Sequence, residues 1–274
     1  MFKIIIMALL IFIGMVGYDN ITDKAQPTTP VQQEQQKVSK HEKSAAMALF
    51  TSLLPPKEEW PSPVHKFYLA FNMDEVIDPI RQNPNWTGLD AMSRDIPQAL
   101  IAIEDHAFYN HGAIAVEGIL RAALANINAG EVVQGGSTLT QQFVKNVFLS
   151  HEQSMERKIE EAVLSLMLED NYSKDEILEL YLNTTYFGAG STGIKQASRT
   201  YFGKAPSALT LAEAAVIASL PYAPTGLNPL ENPEGCKKRQ LLVRAAMHKY
   251  GMINQGQLAE AKAEKIRLTN GTVM

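Results

Sequence analysis

The sequence predicts a mainly α-helical fold, and three observations support this prediction. Ser173 and Thr210 each stand at the head of an apolar run and are followed three residues later by Glu, the capping-box pattern that begins helices. Residues 154–168 place apolar side chains at helical spacing. Runs of Val and Ile that alternate with polar residues are scarce, so little sheet is expected.

The composition is that of a folded domain with no sign of a nucleic-acid partner. A chain of 274 residues, 46% of them apolar and 20% charged, can bury a sizeable core over most of its length. The formal net charge of −4 argues against nucleic acid, because surfaces that follow phosphate backbones make a domain clearly basic. The one cysteine, Cys236, leaves no intrachain disulfide and so indicates no particular redox compartment.

The first 43 residues differ in composition from the remainder. Lys3 precedes an apolar run over residues 4–16, which is shorter than the ~20 residues that span a bilayer comfortably and also suits a secretory signal. We therefore predict a membrane anchor or signal segment at residues 1–18 and export of the rest of the chain. Residues 19–43, rich in Thr, Pro, Gln, Glu and Lys, are predicted to be a flexible tether. The folded domain is expected at residues 44–268, with a tail at residues 269–274.

Two adjacent carboxylates, Glu104 and Asp105, open the sequence EDHAFYNHG at residues 104–112. A carboxylate placed beside apolar surface has a raised pKa, which suits a general base. A helix that simply ends in two solvated acids is the alternative interpretation of this segment. His106 and His111 are five residues apart rather than four, so they would not share a helical face, and zinc is not expected.

Two further polar clusters lie beyond this segment. The first, GGSTLTQQ at residues 135–142, has paired glycines that let backbone N–H groups approach a ligand, and a helix beginning near Ser137 would present its positive end to an anion. Its hydroxyls and amides suit sugar or pyrophosphate recognition, and a capped polar turn is the alternative. In the second, Arg157, Lys158 and Glu161 lie on a helical wheel opposite the apolar side chains of residues 159, 162, 163, 166 and 167. The same spacing is typical of ordinary surface ion pairs.

A fourth cluster, at residues 174–204, is typical of packing and turns.

Taken in order, the clusters resemble the family-51 peptidoglycan glycosyltransferases, a module that occurs alone in monofunctional enzymes and at the front of bifunctional penicillin-binding proteins. The similarity extends from residue 95 to residue 244. It consists of five motifs in the family's order, at residues 104–112, 135–142, 157–161, 177–183 and 193–204. One such match would be weak, but five in order are highly specific.

The resemblance implies a lysozyme-like, mainly α fold with a lobe against the membrane. It also implies polymerisation of lipid II, with inversion at the anomeric carbon and release of undecaprenyl pyrophosphate. Glu104 would be the general base for the acceptor's 4-hydroxyl, and Glu161 the second functional carboxylate, which helps at the pyrophosphate together with a divalent ion such as Mg²⁺ or Mn²⁺. Polar side chains would line the donor cleft and cations would offset pyrophosphate charge: Ser137, Thr138, Gln141, Gln142, Lys145, Arg157 and Lys158.

By the same resemblance, the protein is expected at the bacterial cytoplasmic membrane as a single-pass protein with its catalytic domain outside the cytoplasm. Its partners would be lipid II, the growing glycan strand, the membrane and other proteins of cell-wall synthesis or division. The sequence has no Ser followed three residues later by Lys and no Lys-Thr-Gly, so acyl-serine transpeptidase chemistry has no nucleophile motif in it. We therefore expect a monofunctional polymerase.

The chain departs from the family pattern at three points. His106 stands where arginine is common, Ala113 stands where a glycine is usual because Gly112 follows His111 directly, and Gln153 replaces an arginine that reaches the pyrophosphate. These departures motivate one alternative, a catalytically weakened scaffold for cell-wall synthesis, which would need neither glutamate. The other alternative is a lysozyme-like hydrolase, which would not need the residue 135–142 cluster or the Arg157-Lys158 pair.

Overall fold

The structure is a computed structural model that describes residues 68–129, 135–149 and 154–274. Between residues 122 and 129, the side chain of Ile127 alone is described. The predicted anchor at residues 1–18, the predicted tether at residues 19–43 and Gln153 lie outside the described residues. Residues 73–274 form one compact unit, which contains the candidate site, and residues 68–72 belong to another unit.

The described part of this unit is built from helices, which confirms the predicted mainly α fold. The helices are α1 (Asp74–Arg81), α2 (Asp95–Glu104), α3 (Val116–Ala129), α4 (Leu139–Phe148), α5 (Met155–Asn171), α6 (Lys174–Thr184), α7 (Ile194–Phe202), α8 (Leu211–Ser219), α9 (Pro233–Lys249) and α10 (Gln255–Ala263). Short 3₁₀ turns occupy Leu89–Ala91, Phe108–Asn110 and Pro206–Ala208. Extended pairing within the described residues is limited to two isolated bridges, Tyr186–Thr192 and Arg267–Val273.

Helix α8 is the centre of the core. It is apolar on almost all sides, and every residue from 212 to 219 is buried, as expected for a helix enclosed by protein. It packs against α2 and α9, which also pack against each other. A second group is formed by α4 with α5 and α6. The C-terminal residue of α2, Glu104, is thereby fixed at the end of a helix that the core holds on two sides.

The two capping boxes that the sequence predicts are present. The Ser173 hydroxyl accepts from the backbone N–H of Glu176 at the start of α6, and Thr210 does the same for Glu213 at the start of α8. In both cases the glutamate side chain returns to the backbone N–H of the capping residue. These reciprocal bonds satisfy N–H groups that have no partner within the helix, so they fix where each helix begins.

The loop between α6 and α7 explains the glycines of the fourth motif. Gly188 has φ +85° and Gly193 has φ +84°, a left-handed region that L side chains rarely adopt. A Cβ on Gly188 would lie 2.3 Å from the Pro224 carbonyl oxygen, and a Cβ on Gly193 would lie 2.6 Å from that of Asn183. These residues permit a tight turn and close packing, as predicted for this cluster.

The predicted tail folds back on the residues that precede it. The backbone N–H of Leu268 donates to Thr272 O (2.9 Å), and that of Met274 donates to Ile266 O (2.9 Å). Ile266 and Leu268 are buried. Across the described ranges, no helix combines the length and the apolar character needed to cross a membrane.

Candidate active site

Glu104 lies at the edge of a cavity of about 380 Å³. Helix α2 ends at this residue because Asp105 adopts an extended, non-helical backbone conformation (φ −155°, ψ 70°). The cavity wall is formed by the loop after α2, the first turns of α3 and the segment before α4. Its polar lining includes Glu104, Asp105, His111, Arg121, Ser137 and Thr138.

The Glu104 carboxylate has a neutral hydrogen-bond partner. Gln142 on α4 donates from Nε2 to Glu104 Oε2 (3.1 Å), and Tyr181 on α6 donates its hydroxyl to Gln142 Oε1 (3.1 Å). Burial raises the pKa of Glu104, and the Gln142 hydrogen bond and the charges of Arg239 and Lys145 oppose that rise. A half-buried carboxylate with a raised pKa that still receives a hydrogen bond is suited to accept a proton.

Asp105, the neighbour of Glu104, joins two segments of the site. One oxygen, Oδ1, contacts His111 Nε2 (2.7 Å), and the other, Oδ2, accepts from the backbone N–H of Leu139 (3.1 Å) at the start of α4. The hydrogen bond that His111 makes to the Asp105 carboxylate raises the pKa of His111, and burial opposes that rise. His111 Nδ1 bonds to Gly112 O (2.6 Å), so the protonated ring donates at both nitrogens. Asp105 therefore fixes the start of α4 relative to Glu104.

Thr138 and Gln141 form a capping box at the start of α4. Thr138 Oγ1 accepts from the Gln141 backbone N–H (3.1 Å) and donates to Ala113 O (2.7 Å), while Gln141 Oε1 accepts from the Thr138 backbone N–H (3.1 Å). Both residues are buried, with exposures of 2% and 3%. The Thr-x-x-Gln spacing is a capping-box pattern that was visible in the sequence. The Thr138 hydroxyl and the Gln141 side-chain oxygen are thus engaged within the protein, although Thr138 also lines the cavity.

Ser137 connects the cavity to the second carboxylate. Lys158 Nζ donates to Ser137 Oγ (3.1 Å) and also pairs with Glu161. Arg157 Nη1 lies 3.4 Å from the other Glu161 oxygen. The structure therefore brings Ser137, Arg157, Lys158 and Glu161 together in one contiguous cluster.

The orientation of α5 differs from the helical-wheel expectation. Glu161 is 2% exposed and shares the buried face with Leu164, Ser165 and Leu168, whereas Ile159 of the predicted apolar stripe is 56% exposed. The wheel placed Glu161 on the polar side because it weighs hydrophobicity alone. A carboxylate can be buried when cations pair with it, and Arg157 and Lys158 provide that pairing within one helical turn.

Two cations act on Glu104 without contacting it. Lys145 on α4 is exposed, and its charge is close enough to lower the pKa of Glu104. Arg239 on α9 has the same effect, and its guanidinium lies 4.1 Å from the centre of the Tyr222 ring. The sequence did not predict a role for Arg239, because nothing local distinguishes it from its neighbours Lys237 and Lys238.

The structure accommodates the two departures from the family pattern that lie in the described residues, His106 and Ala113. His106 stacks on Tyr250 at the end of α9, with ring centres 4.1 Å apart and planes 15° apart. Ala113 is 2% exposed, and it is not among the residues with positive φ. A glycine is therefore not required at residue 113, because its backbone is one that alanine adopts without strain.

The donor atoms around Glu161 decide whether a divalent ion fits there. Both oxygens of Glu161 already pair with cations, from Arg157 and Lys158. In the three described ranges, no group of three or more His, Cys, Asp or Glu side chains is arranged to hold a metal ion. The described side chains thus do not form a ready coordination site for a metal ion.

Comparison with known proteins identifies the family. The family model described as Transglycosylase matches residues 73–248. A Cupriavidus necator protein that bears the name transglycosylase is 40% identical over 194 residues, which are 71% of this chain and 84% of that protein. Penicillin-binding protein 2D of Bacillus subtilis is 45% identical over 66% of this chain, and penicillin-binding protein 1A of Neisseria flavescens is 44% identical over 68%.

This chain spans 26% and 23% of the length of those two penicillin-binding proteins. The family match covers most of the compact unit and includes all five motifs as well as Arg239. The chain therefore belongs to the Transglycosylase family, and it is a peptidoglycan glycosyltransferase, as its motifs predict.

Proposed function

We propose that the protein polymerises lipid II into glycan strands by inverting glycosyl transfer, with release of undecaprenyl pyrophosphate. The observation that carries this proposal is the connection between the two carboxylate regions. Ser137 lines the cavity beside Glu104 and accepts a hydrogen bond from Lys158, which pairs with Glu161. The proton acceptor therefore lines the same cavity as the serine that the cationic cluster contacts.

Glu104 is the general base in this proposal. It takes the proton of the acceptor sugar's 4-hydroxyl while that oxygen forms the new bond to the donor's anomeric carbon. The bond from that carbon to pyrophosphate breaks on the opposite side, which gives inversion. The raised pKa of Glu104 supports this role, because a stronger base accepts the hydroxyl proton more readily near neutral pH.

Cations stabilise the pyrophosphate as it departs. Lys158, Arg157 and Lys145 are proposed to offset its growing negative charge, an effect that is strong where water is excluded. Lys158 is 44% exposed and Lys145 is exposed, so both are accessible to a substrate. Ser137 is proposed to orient the donor, with Gln142 nearby. Thr138 and Gln141 would act through the shape of the α4 terminus, because their polar groups are engaged in the capping box.

Exposed apolar side chains support the proposed substrate, which is a lipid. Large apolar side chains are exposed on α3 and at the start of α5: Val116, Leu120, Ile127, Met155 and Ile159. Large exposed apolar patches are typical of membrane or protein contact sites, and we propose that these side chains form one. We propose that this side faces the outer leaflet of the bacterial cytoplasmic membrane, with residues 1–18 as a single-pass anchor. Other proteins of cell-wall synthesis or division are proposed partners.

The decisive experiment is polymerisation of labelled lipid II by the detergent-solubilised protein, compared with Glu104→Gln. The wild type is expected to form glycan polymer, and Glu104→Gln to form at least about a thousandfold less, because the amide cannot accept the proton. Equal far-UV circular dichroism and Tm would show that the variant is folded. Parallel arms with Mg²⁺, Mn²⁺ or EDTA test the divalent ion that the family resemblance implies.

Other outcomes of this assay would redirect the assignment. Folded wild-type protein that forms no polymer would favour a scaffold and point first to Gln153. Shortening of preformed glycan would favour a hydrolase. An active, normally folded Glu104→Gln protein would remove Glu104 from the mechanism. The sequence carries no acyl-serine motif, so the proposal covers glycosyl transfer alone.

A further inference from the structure

We infer that Tyr181 is a positioning residue for the general base, acting on Glu104 through the side-chain amide of Gln142. The inference rests on the proposed function and deepens it. Three helices meet in this chain of hydrogen bonds: Tyr181 belongs to α6, Gln142 to α4 and Glu104 to α2. The two links are each 3.1 Å long.

The hydroxyl of Tyr181 holds the Gln142 amide in one of its two orientations. An amide group can rotate by 180° and exchange its oxygen and nitrogen with little change in shape. With the Tyr181 hydroxyl donating to Oε1, the N–H₂ group faces Glu104. In the rotated form the amide oxygen would face the carboxylate, and two acceptors without a shared proton repel each other.

Tyr181 is placed to act at a distance, because it is buried. Its side chain is 1% exposed, so it cannot contact a sugar or a pyrophosphate in this arrangement. Helices α4 and α6 pack against each other, which fixes the separation of Tyr181 and Gln142. Burial and the nearby charge of Glu104 raise the pKa of Tyr181 above its ordinary value, so its hydroxyl keeps its proton and remains a donor.

The Gln142 hydrogen bond favours the ionised form of the base. An ionised carboxylate only accepts hydrogen bonds, so an N–H aimed at it stabilises that form, which is the one that takes a proton. The Gln142 bond is the largest influence that opposes the effect of burial on the Glu104 pKa. Loss of the Tyr181 hydroxyl would remove the bond that holds the Gln142 amide in place and weaken its bond to Glu104, and Glu104 would then require a higher pH to ionise.

The test is the pH dependence of lipid II polymerisation by Tyr181→Phe. In the wild type, activity falls on the acid side as Glu104 becomes protonated. In Tyr181→Phe this acid limb is expected to move upward by about half to one pH unit, the size of one net hydrogen bond. At a pH on the limb, kcat should fall roughly three- to tenfold, while KM for lipid II changes less than about twofold because Tyr181 does not contact substrate.

Tyr201→Phe is the matched control. Tyr201 is also fully buried, and its hydroxyl donates to Phe187 O (2.7 Å) in the loop between α6 and α7. Both variants lose one buried tyrosine hydroxyl and should lose comparable stability. A merely structural role of Tyr181 predicts the same pH profile for both variants, whereas the positioning role predicts a displaced limb for Tyr181→Phe alone.

Gln142→Met provides a second variant if Tyr181→Phe fails to fold. It keeps the length of the side chain without its polar atoms, and its acid limb should also move upward. An unchanged acid limb in a folded, active Tyr181→Phe or Gln142→Met protein would overturn the inference while leaving the proposed function intact. Wild-type protein without polymerase activity would instead overturn the proposed function, and the inference with it.

Discussion

Glu104 and Glu161 are chemically identical side chains whose nearest partners differ: a neutral amide for Glu104 and two cations for Glu161. Glu104 lies at the edge of an open cavity and receives its hydrogen bond from the neutral amide of Gln142. Glu161 is 2% exposed and is held by Lys158 and Arg157. The contrast shows one residue type in two environments: Glu104 is hydrogen-bonded by a neutral amide while cations act on it from a distance, whereas Glu161 pairs with its cations directly.

The difference also concerns what each carboxylate supports. Glu104 has few direct partners, so its neighbours chiefly tune when it ionises. Glu161 holds two cations in place, and one of them reaches Ser137 at the cavity. Substitution of Glu161 should therefore disturb both the stability of α5 and the cationic surface that is proposed to face the donor, whereas substitution of Glu104 should affect the proposed chemistry.

Among substitutions that distinguish the Glu161 region from the Glu104 region, Glu161→Gln is expected to have the largest effect. The variant leaves Arg157 and Lys158 without their carboxylate, so the free energy of unfolding should fall by about 3 kcal/mol. This value is at the lower end of the range for a broken buried ion pair, because Lys158 is half exposed. Polymerisation should fall about a hundredfold, since Lys158 loses its fixed position. Urea unfolding and the lipid II assay measure the two effects.

Glu213→Gln is the matched control for that substitution. Glu213 is 4% exposed on α8 and pairs with Lys204, whose side chain is 41% exposed. The pair resembles that of Glu161 with Lys158, but Glu213 caps α8 instead of holding a cation near the cavity. The Glu213→Gln variant should be less stable than the wild type, without a comparable loss of polymerisation activity per folded molecule. If Glu161→Gln also loses stability but keeps its activity, the proposed role of the Glu161–Lys158 cluster at the donor pyrophosphate fails.

A smaller effect is expected from Asp105→Asn, which alters the Glu104 region alone. Asp105 raises the pKa of His111, so their interaction stabilises the fold fully below the ordinary histidine pKa of 6.5 and is lost as pH rises through the raised value. At about pH 6 the variant should be about 2 kcal/mol less stable than the wild type. The difference should narrow at higher pH.

Thermal unfolding of both proteins between about pH 6 and pH 9 measures this difference. The part that remains at high pH reports the Asp105 bond to the backbone of Leu139, which does not depend on His111 protonation. A stability difference that is constant over the whole range would contradict the assignment of a charged Asp105–His111 pair. A loss of polymerisation in the variant would reflect displacement of α4, which carries Gln142.

The candidate residues could be predicted from the sequence more completely than their surroundings. The motif around Glu104 and the hydroxyl–amide cluster before α4 are visible as local patterns, and the mainly α fold follows from helical spacing and caps. The prediction of which face of α5 is buried was wrong. A helical wheel counts Glu161 as polar and places it outside, whereas its pairing with cations allows it to be buried. Arg239 could not be predicted, because its proximity to Glu104 depends on the packing of α9 against α2, which no local pattern encodes.

The smallest effect, and the sharpest on the tuning of Glu104, is expected from Arg239→Gln. The charge of Arg239 lowers the pKa of Glu104, so its removal should move the acid limb of polymerisation to higher pH and reduce activity on that limb roughly two- to threefold. Lys238→Gln removes one charge from the adjacent, exposed position and should leave the acid limb in place.

Salt distinguishes a charge effect from the loss of a hydrogen bond. Because long-range charge effects are screened, added salt should reduce the difference between Arg239→Gln and wild type. It should not reduce the effect of Tyr181→Phe, which removes a hydrogen bond. A limb that moves equally in Arg239→Gln and Lys238→Gln would show that general surface charge, rather than the placement of Arg239 by α9, sets the ionisation of Glu104.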